Sequence, residues 1–234
     1  MTPTGTTDAA REAERREMLE VIQEEAAATA GMTGRPAVSP RVAAALLRVP
    51  RHRFVPPAEE AVAYVDSPLP IGHGQTISQP FIVALMTELL DLGPADRVLE
   101  VGTGCGYQAA VLAELAGAVF SIERIAPLAE AAAARLKALG YANVEVRAGD
   151  GYAGWPDAAP FDAVIVTAAA EAMPDALVDQ LAPGGRMVVP VGGPGGQTLY
   201  RVTRDRDGRV ERRPVLAVAF VPTLPGTGHG GGDA

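Results

Sequence analysis

From Arg97 onward, short apolar runs of strand length alternate with segments of helical pattern, and no other feature of the chain restricts its fold as much. The strand-like runs are Arg97 to Val101, Val119 to Glu123, Val144 to Arg147, Phe161 to Thr167 and Met187 to Val191. Helical patterns separate them to Ala116, from Ile125 to Leu139 and near Pro174 to Leu181. Strands spaced by helices of about 10 to 15 residues form right-handed βαβ units and hence a parallel sheet. Two further runs, Thr198 to Thr203 and Val215 to Val221, are joined through Asp205-Arg206-Asp207-Gly208, a hairpin-type turn. The expectation is an α/β fold with a doubly wound, mostly parallel seven-stranded sheet, a C-terminal antiparallel strand pair and an N-terminal helical extension.

Upstream of this pattern, Asp8 to Ala30 mixes Arg and Glu with Met18, Leu19, Val21 and Ile22, which predicts a peripheral helix. Gly31 to Pro36 breaks it, and Ser39-Pro40 then makes a cap with proline at the first helical position of a helix to about Val49, with Ala43, Leu46 and Leu47 inward. Helical patterns at Ala58 to Tyr64 and Pro80 to Leu90 flank Asp66 to Gln79, which is rich in Pro, Gly and small polar residues and predicts a long ordered loop of the functional kind. The organisation expected is an N-terminal extension over residues 1–35, frayed from Met1 to Thr7, a single main domain over 36–224, and a disordered Gly-rich tail over 225–234.

Composition narrows the functional classes. The 20 basic and 28 acidic residues leave a net charge of −8, so nucleic acid and anionic membrane are not expected partners. A single cysteine excludes an intrachain disulfide framework and any Cys-rich zinc site, and it suits a reducing cytoplasm. The polar start from Met1 to Asp8 lacks the apolar run of a signal peptide, and no stretch is long and apolar enough to span a bilayer. A cytoplasmic location follows as the expectation.

The run Val98-Leu99-Glu100-Val101 leads directly into Gly102-Thr103-Gly104-Cys105-Gly106-Tyr107, which opens a helix. In a doubly wound sheet, a nucleotide-like ligand lies at such a junction. The third glycine comes two residues after Gly104, where the dinucleotide fingerprint requires three, so the spacing disfavours NAD. Glu100 stands two residues before Gly102, and Glu123 ends the second strand about 20 residues after the loop, where a carboxylate can accept both hydroxyls of a ribose. Asp150, between Gly149 and Gly151, stands where a carboxylate or its neighbouring backbone can address an adenine edge. Ribose, adenine and a cationic amino-acid tail describe S-adenosylmethionine, which has no phosphate and needs no basic residue in the loop.

Two competing readings are set aside. Cys105 lies at a helix N-terminus, a place that can activate a thiol, but a small side chain is also what a loop in contact with ligand requires, and that reading is preferred. His52, His73 and His229 are scattered without a metal-ligand spacing, so no metal is expected.

These residues resemble the protein-L-isoaspartate O-methyltransferase family. The resemblance runs from Val49-Pro50-Arg51-His52-Arg53-Phe54-Val55 through Leu69 to Pro80, the glycine loop, Ser121-Ile122-Glu123-Arg124, Gly149-Asp150-Gly151, Ala159 to Asp162 and Gln180 to Gly185, ending near Phe220-Val221-Pro222. The glycine loop is shared by many methyltransferases, whereas Gln75-Thr76-Ile77-Ser78-x-Pro80 is specific to this family. The resemblance implies a Rossmann-like methyltransferase that uses S-adenosylmethionine to esterify the free α-carboxylate of L-isoaspartyl residues in aged peptides and proteins, the ester then closing to a succinimide. It implies that Ser78 is the active-site serine and that Gln75, Thr76, Ile77, Glu100, Gly102, Gly104, Glu123, Asp150, Gly151 and Thr223 bind the cofactor. Cys105 departs from the serine more common in the family.

The chemistry agrees with this inventory. A carboxylate with an ordinary pKa of about 4 is ionised at neutral pH, so it attacks a sulfonium methyl without a general base. Alignment is what remains to be supplied. A peptide-tailoring O-methyltransferase that esterifies aspartates of one dedicated precursor would share the cofactor site. A non-catalytic module with a relict pocket would have lost a cofactor acid or Ser78, and an oxidoreductase is disfavoured by the glycine spacing. The partners expected are isoaspartyl peptides and proteins, with a monomer favoured.

Overall fold

The computed structural model describes residues 8–193, 195–223 and 226–227. The first half of the chain forms α1 (Asp8–Thr33), α2 (Pro40–Arg48), 3-10 turns at Arg51–Arg53 and Pro57–Val62, the strands β1 (Leu69–Gly72) and β2 (Gln75–Ile77), and α3 (Pro80–Leu89). There follow β3 (Arg97–Val101), α4 (Tyr107–Ala113), β4 (Ala118–Glu123), α5 (Ala126–Ala138), β5 (Val144–Ala148), β6 (Phe161–Val166), α6 (Asp175–Asp179), β7 (Leu181–Gly193), β8 (Gly196–Arg204) and β9 (Val210–Val218).

The large sheet has seven strands in the order β5-β4-β3-β6-β7-β8-β9. The pairs from β5 to β7 are parallel, and β7–β8 and β8–β9 are antiparallel, as the alternating pattern predicts. The chain runs outward from β3 to β5 and then returns to place β6 on the other side of β3, so the switch point of the sheet lies beside the glycine loop. Pleating sends successive side chains to opposite faces. Val98, Val119, Ala163, Ile165 and Val188 therefore enter one buried cluster with α3 and α4, while Leu99, Val101, Val164, Val166, Met187 and Val189 enter a second with α6.

Several boundaries differ from the expectations. The α1 helix is not merely peripheral, because Met18, Ile22 and Ala26 are buried in the same cluster as Ala84 and Leu85. Most of its charged residues are exposed, but Arg11 is buried and bonds Glu60 O, and this mixture of charge with the apolar stripe masks it in the sequence. In α2 the buried residues are Val42, Ala45 and Leu46, so the inward stripe is rotated from the one expected. The segment expected as a loop from Asp66 to Gln79 contains the β1–β2 hairpin, closed by Gly72, His73 and Gly74, all with positive φ. Such short strands carry no readable alternation. The helical pattern from Ala58 folds as a 3-10 turn, and the helix near Pro174 is only Asp175–Asp179, since Leu181 already pairs in β7.

The last strand starts and ends earlier than the apolar pattern suggests, at Val210 and Val218. It is an edge strand whose Glu211, Arg212, Arg213 and Pro214 are exposed, so the backbone pairing with β8 is made without an apolar signature. Residues 219–223 then leave the sheet edge and fold back over the strand ends, where Ala169 N donates to Val221 O at 2.8 Å and Thr223 N to Ala169 O at 2.6 Å. The expectations for residues 1–7 and for most of the Gly-rich tail concern positions outside the described residues.

Candidate active site

At the carboxyl end of β3, Gly102 and Gly104 take left-handed φ values of 99° and 53°. A side chain at Gly102 would place its Cβ 2.4 Å from Thr167 Oγ1, so only glycine fits between β3 and the end of β6. Thr167 Oγ1 in turn donates to Gly102 O at 2.6 Å, fixing the floor of the loop. Gly151, which opens the 3-10 turn after β5, is confined in the same way: a Cβ there would meet Val101 Cγ1 at 2.4 Å.

Two clefts open above this floor and share Gln75, Gly102, Glu123, Ala168 and Val221. The first, about 510 Å³, is also lined by Thr76, Ile77, Ser78, Gly104 and Cys105. The second, about 710 Å³, extends along Arg124, Ile125, Gly151 and Thr223. Beyond Ser78 lies a larger groove of about 1610 Å³, walled by Glu25 and Thr29 of α1, Phe81 and Ile82 of α3, and residues 216–221. Thr76, Ser78, Thr167 and Val221 border both the first cleft and this groove.

The acids expected from sequence are placed differently from one another. Glu123 lines both clefts and is nearly buried; its Oε2 accepts from Gly104 N at 2.8 Å and its Oε1 from Ile125 N at 2.9 Å. Each carboxylate oxygen has two lone pairs, so the same group that holds the loop retains acceptor capacity. Glu100 is fully buried and lines neither cleft; it points under the loop, where the Ser121 hydroxyl donates to its Oε2 and Thr103 Oγ1 lies 2.5 Å from Ser121 Oγ. Burial above all, and secondarily the charge of Glu123, pushes the Glu100 carboxyl up to about 8 despite the stabilising Ser121 hydroxyl. Asp150 caps the 3-10 turn that follows it, accepting from Tyr152 N at 2.9 Å, and it is the neighbouring Gly151 that lines the second cleft.

Thr223 lines the second cleft with a hydroxyl that is buried and has no partner among the described residues. Gln75, Thr76 and Ile77 form β2 and reach the first cleft together with Ser78. Cys105 also lines it, but burial pushes its thiol pKa up, the opposite of an activated nucleophile. Among the described residues there is no cluster of three or more side chains able to hold a metal ion. Sequence reasoning assigned no role to Thr167, to Val221 or to Arg51, whose guanidinium donates to Ser78 O at 2.8 Å. Thr167 could have been found from its place at the end of a parallel strand, whereas Arg51 and Val221 lie in stretches that carry the family resemblance without anything there to single them out.

A doubly wound sheet with a glycine loop at its switch point, one carboxylate in the first cleft and no Lys or Arg among that cleft's described lining residues suits a nucleoside cofactor without phosphate, as in the class of S-adenosylmethionine-dependent methyltransferases. The model of the protein-L-isoaspartate(D-aspartate) O-methyltransferase family matches residues 27–227, and the chain belongs to that family. It is 56% identical over 223 residues to a protein-L-isoaspartate O-methyltransferase 2 of Syntrophobacter fumaroxidans, covering 95% of this chain and 90% of that one. A protein-L-isoaspartate O-methyltransferase of Methylorubrum populi is 62% identical over 187 residues, covering 80% of this chain and 88% of its own. A solved protein-L-isoaspartate O-methyltransferase superposes with a TM-score of 0.78 at 29% identity, over 92% of this chain and 67% of that one. A Plasmodium falciparum structure described as a protein-L-isoaspartate O-methyltransferase in complex with S-adenosyl-L-homocysteine gives a TM-score of 0.75 at 26% identity, over 90% of this chain and 98% of its own.

Proposed function

We propose that this enzyme transfers a methyl group from S-adenosylmethionine to the free α-carboxylate of L-isoaspartyl residues in damaged peptides and proteins, the first step of repair through a succinimide. The observation that carries the reading is the position of Ser78, on the border between the cleft beside the glycine loop and the groove walled by α1, α3 and residues 216–221. A donor in the cleft and a peptide in the groove would meet at this residue.

The residues present fit the cofactor. Gly102, Gly104 and Gly151 bring main chain to the cleft walls, Glu123 can accept from a ribose, and Thr223, a lining residue of the second cleft, has a buried hydroxyl without a partner among the described residues. Gln75, Thr76 and Ile77 would close over it from the hairpin. Glu100 and Asp150 would act at one remove, Glu100 by supporting the loop through Ser121 and Asp150 by capping the turn that presents Gly151. When bound, S-adenosylmethionine supplies an electrophilic sulfonium methyl.

The chain's own task is alignment. The substrate carboxylate is already ionised at neutral pH and needs no base. Ser78 would donate a hydrogen bond to one carboxylate oxygen and aim the other, and the walls of the groove would hold the flanking peptide and exclude water. Nothing in this arrangement calls for a nucleophilic thiol. We further place the protein in the cytoplasm. No helix of the described residues is long and apolar enough to cross a membrane, and an acidic chain with one buried cysteine suits a reducing compartment.

The deciding experiment is a methyl-release assay on one peptide in its isoaspartyl and aspartyl forms. The isoaspartyl form should be methylated far better. A preference for the aspartyl form would replace repair by esterification of a dedicated precursor, and methylation of neither, with cofactor bound, would leave a relict module.

A further inference from the structure

Arg51 is the largest side chain of the described residues that is fully buried. Among those residues no carboxylate lies within ion-pairing distance of it, which is a costly way to keep a cation inside a protein. Its donors reach main-chain carbonyls of separate segments instead: Nε to Ala63 O at 2.8 Å, and Nη2 to Ser78 O at 2.8 Å and to Ser67 O at 3.5 Å. The guanidinium carbon lies 4.9 Å from the ring centroid of Tyr107, the first residue of α4 after the glycine loop, and Nη1 is buried without a partner among the described residues. One planar group therefore ties the serine loop to the helix that leaves the glycine loop.

We infer that Arg51 is the positioning residue of the methyl transfer: it sets where Ser78 stands relative to the glycine loop, so turnover depends on a side chain buried behind the site. The inference rests on the reading of Ser78 as the residue that aims the substrate carboxylate. A planar fork is required because the carbonyls of Ala63 and Ser78 belong to different segments and are bonded by different nitrogens of one group. Lysine keeps the charge and has three donors, but they radiate from one nitrogen and cannot reproduce the separated positions from which Nε and Nη2 bond the two carbonyls. A misplacement of about 1 Å in an aligned displacement can cost on the order of a hundredfold in rate.

The test is a double-mutant cycle with Arg51→Lys and Ser78→Ala, read as kcat on the isoaspartyl peptide, with the dissociation constant of S-adenosylmethionine and the thermal midpoint measured for each variant. Arg51→Lys should lower kcat at least tenfold in the wild-type background, with cofactor affinity kept within about twofold, and less than twofold when Ser78 is already alanine. If buried ammonium prevents folding, Arg51→Gln takes its place, since it removes the charge along with the burial penalty and can donate to only part of the set. An equal loss in both backgrounds, a silent Arg51 variant, or a loss that tracks cofactor affinity would overturn the inference, and a silent Ser78→Ala would overturn it as well. A wild-type chain that prefers the aspartyl peptide would instead refute the proposed substrate, and the cycle would be read on that peptide.

Discussion

Glu123 Oε2 accepts a hydrogen bond from Gly104 N at 2.8 Å, across 19 residues of sequence, while Oε1 accepts from Ile125 N at 2.9 Å. The acid at the end of β4 thus shapes the glycine loop as well as offering acceptors to the cleft. Glu123→Ala removes both functions. Its affinity for S-adenosylmethionine should fall by about 1.5 to 3 kcal/mol, the range for hydrogen bonds to a charged group. Glu123→Gln keeps one carbonyl oxygen and should lose less. Calorimetric titration decides, and an unchanged dissociation constant in folded Glu123→Ala would remove this residue from the site.

Ser78→Ala should lower kcat on the isoaspartyl peptide by up to about a hundredfold and leave cofactor affinity nearly unchanged, because the hydroxyl meets the substrate and the transition state. Steady-state kinetics together with direct cofactor titration separates the two quantities. A variant with wild-type kcat on both peptide forms would reduce Ser78 to a loop residue.

Cys105→Ser should keep most of the turnover. Burial pushes the thiol pKa up, so little thiolate is present at neutral pH, and the residue's place in the cleft wall needs only a small side chain. Loss by orders of magnitude with cofactor affinity intact would restore a covalent role.

Glu100 links stability to pH. Its carboxyl is pushed up to about 8 in the folded protein from an ordinary 4.5, so between these values the native state holds a proton that the unfolded chain has released. Stability from this group is fully present below pH 4.5 and is lost as pH rises toward 8. Glu100→Gln should flatten that dependence and, near the upper end, stabilise the fold by on the order of 1 to 3 kcal/mol. Urea midpoints at pH 5 and pH 8 measure it; parallel changes in wild type and variant would show that Glu100 does not titrate in this window.

Gly102→Ala places a methyl 2.4 Å from Thr167 Oγ1 at a φ of 99°, where side chains are strained. The fold should lose about 1 to 3 kcal/mol, and cofactor affinity should drop more than stability because the shift occurs in the cleft floor. Wild-type cofactor affinity in this variant would mean that the loop can move without cost to the site.

How much of this was readable beforehand depends on the range of each interaction. The strands from Arg97 to Val191, the glycine loop and the acid at position 123 were legible because hydrophobic period and residue spacing are local, and a parallel sheet with both faces covered repeats them strongly. The β1–β2 hairpin and the start of β9 were not, since short strands and a polar edge strand form by backbone pairing that leaves little trace in side-chain pattern. Glu100 was expected in the cofactor site from its distance to Gly102, but its destination depended on the neighbouring strand: it is the register partner of Ser121 in a parallel pair, and both side chains turn under the loop. The order of residue types thus determined the sheet, its switch point and the chemistry available there. Tertiary structure alone decided which acid faces the cleft, that residues 221–223 return to border it, and that Arg51 holds Ser78 from 27 residues away, because burial and hydrogen bonding between distant segments exist only after the chain has closed on itself.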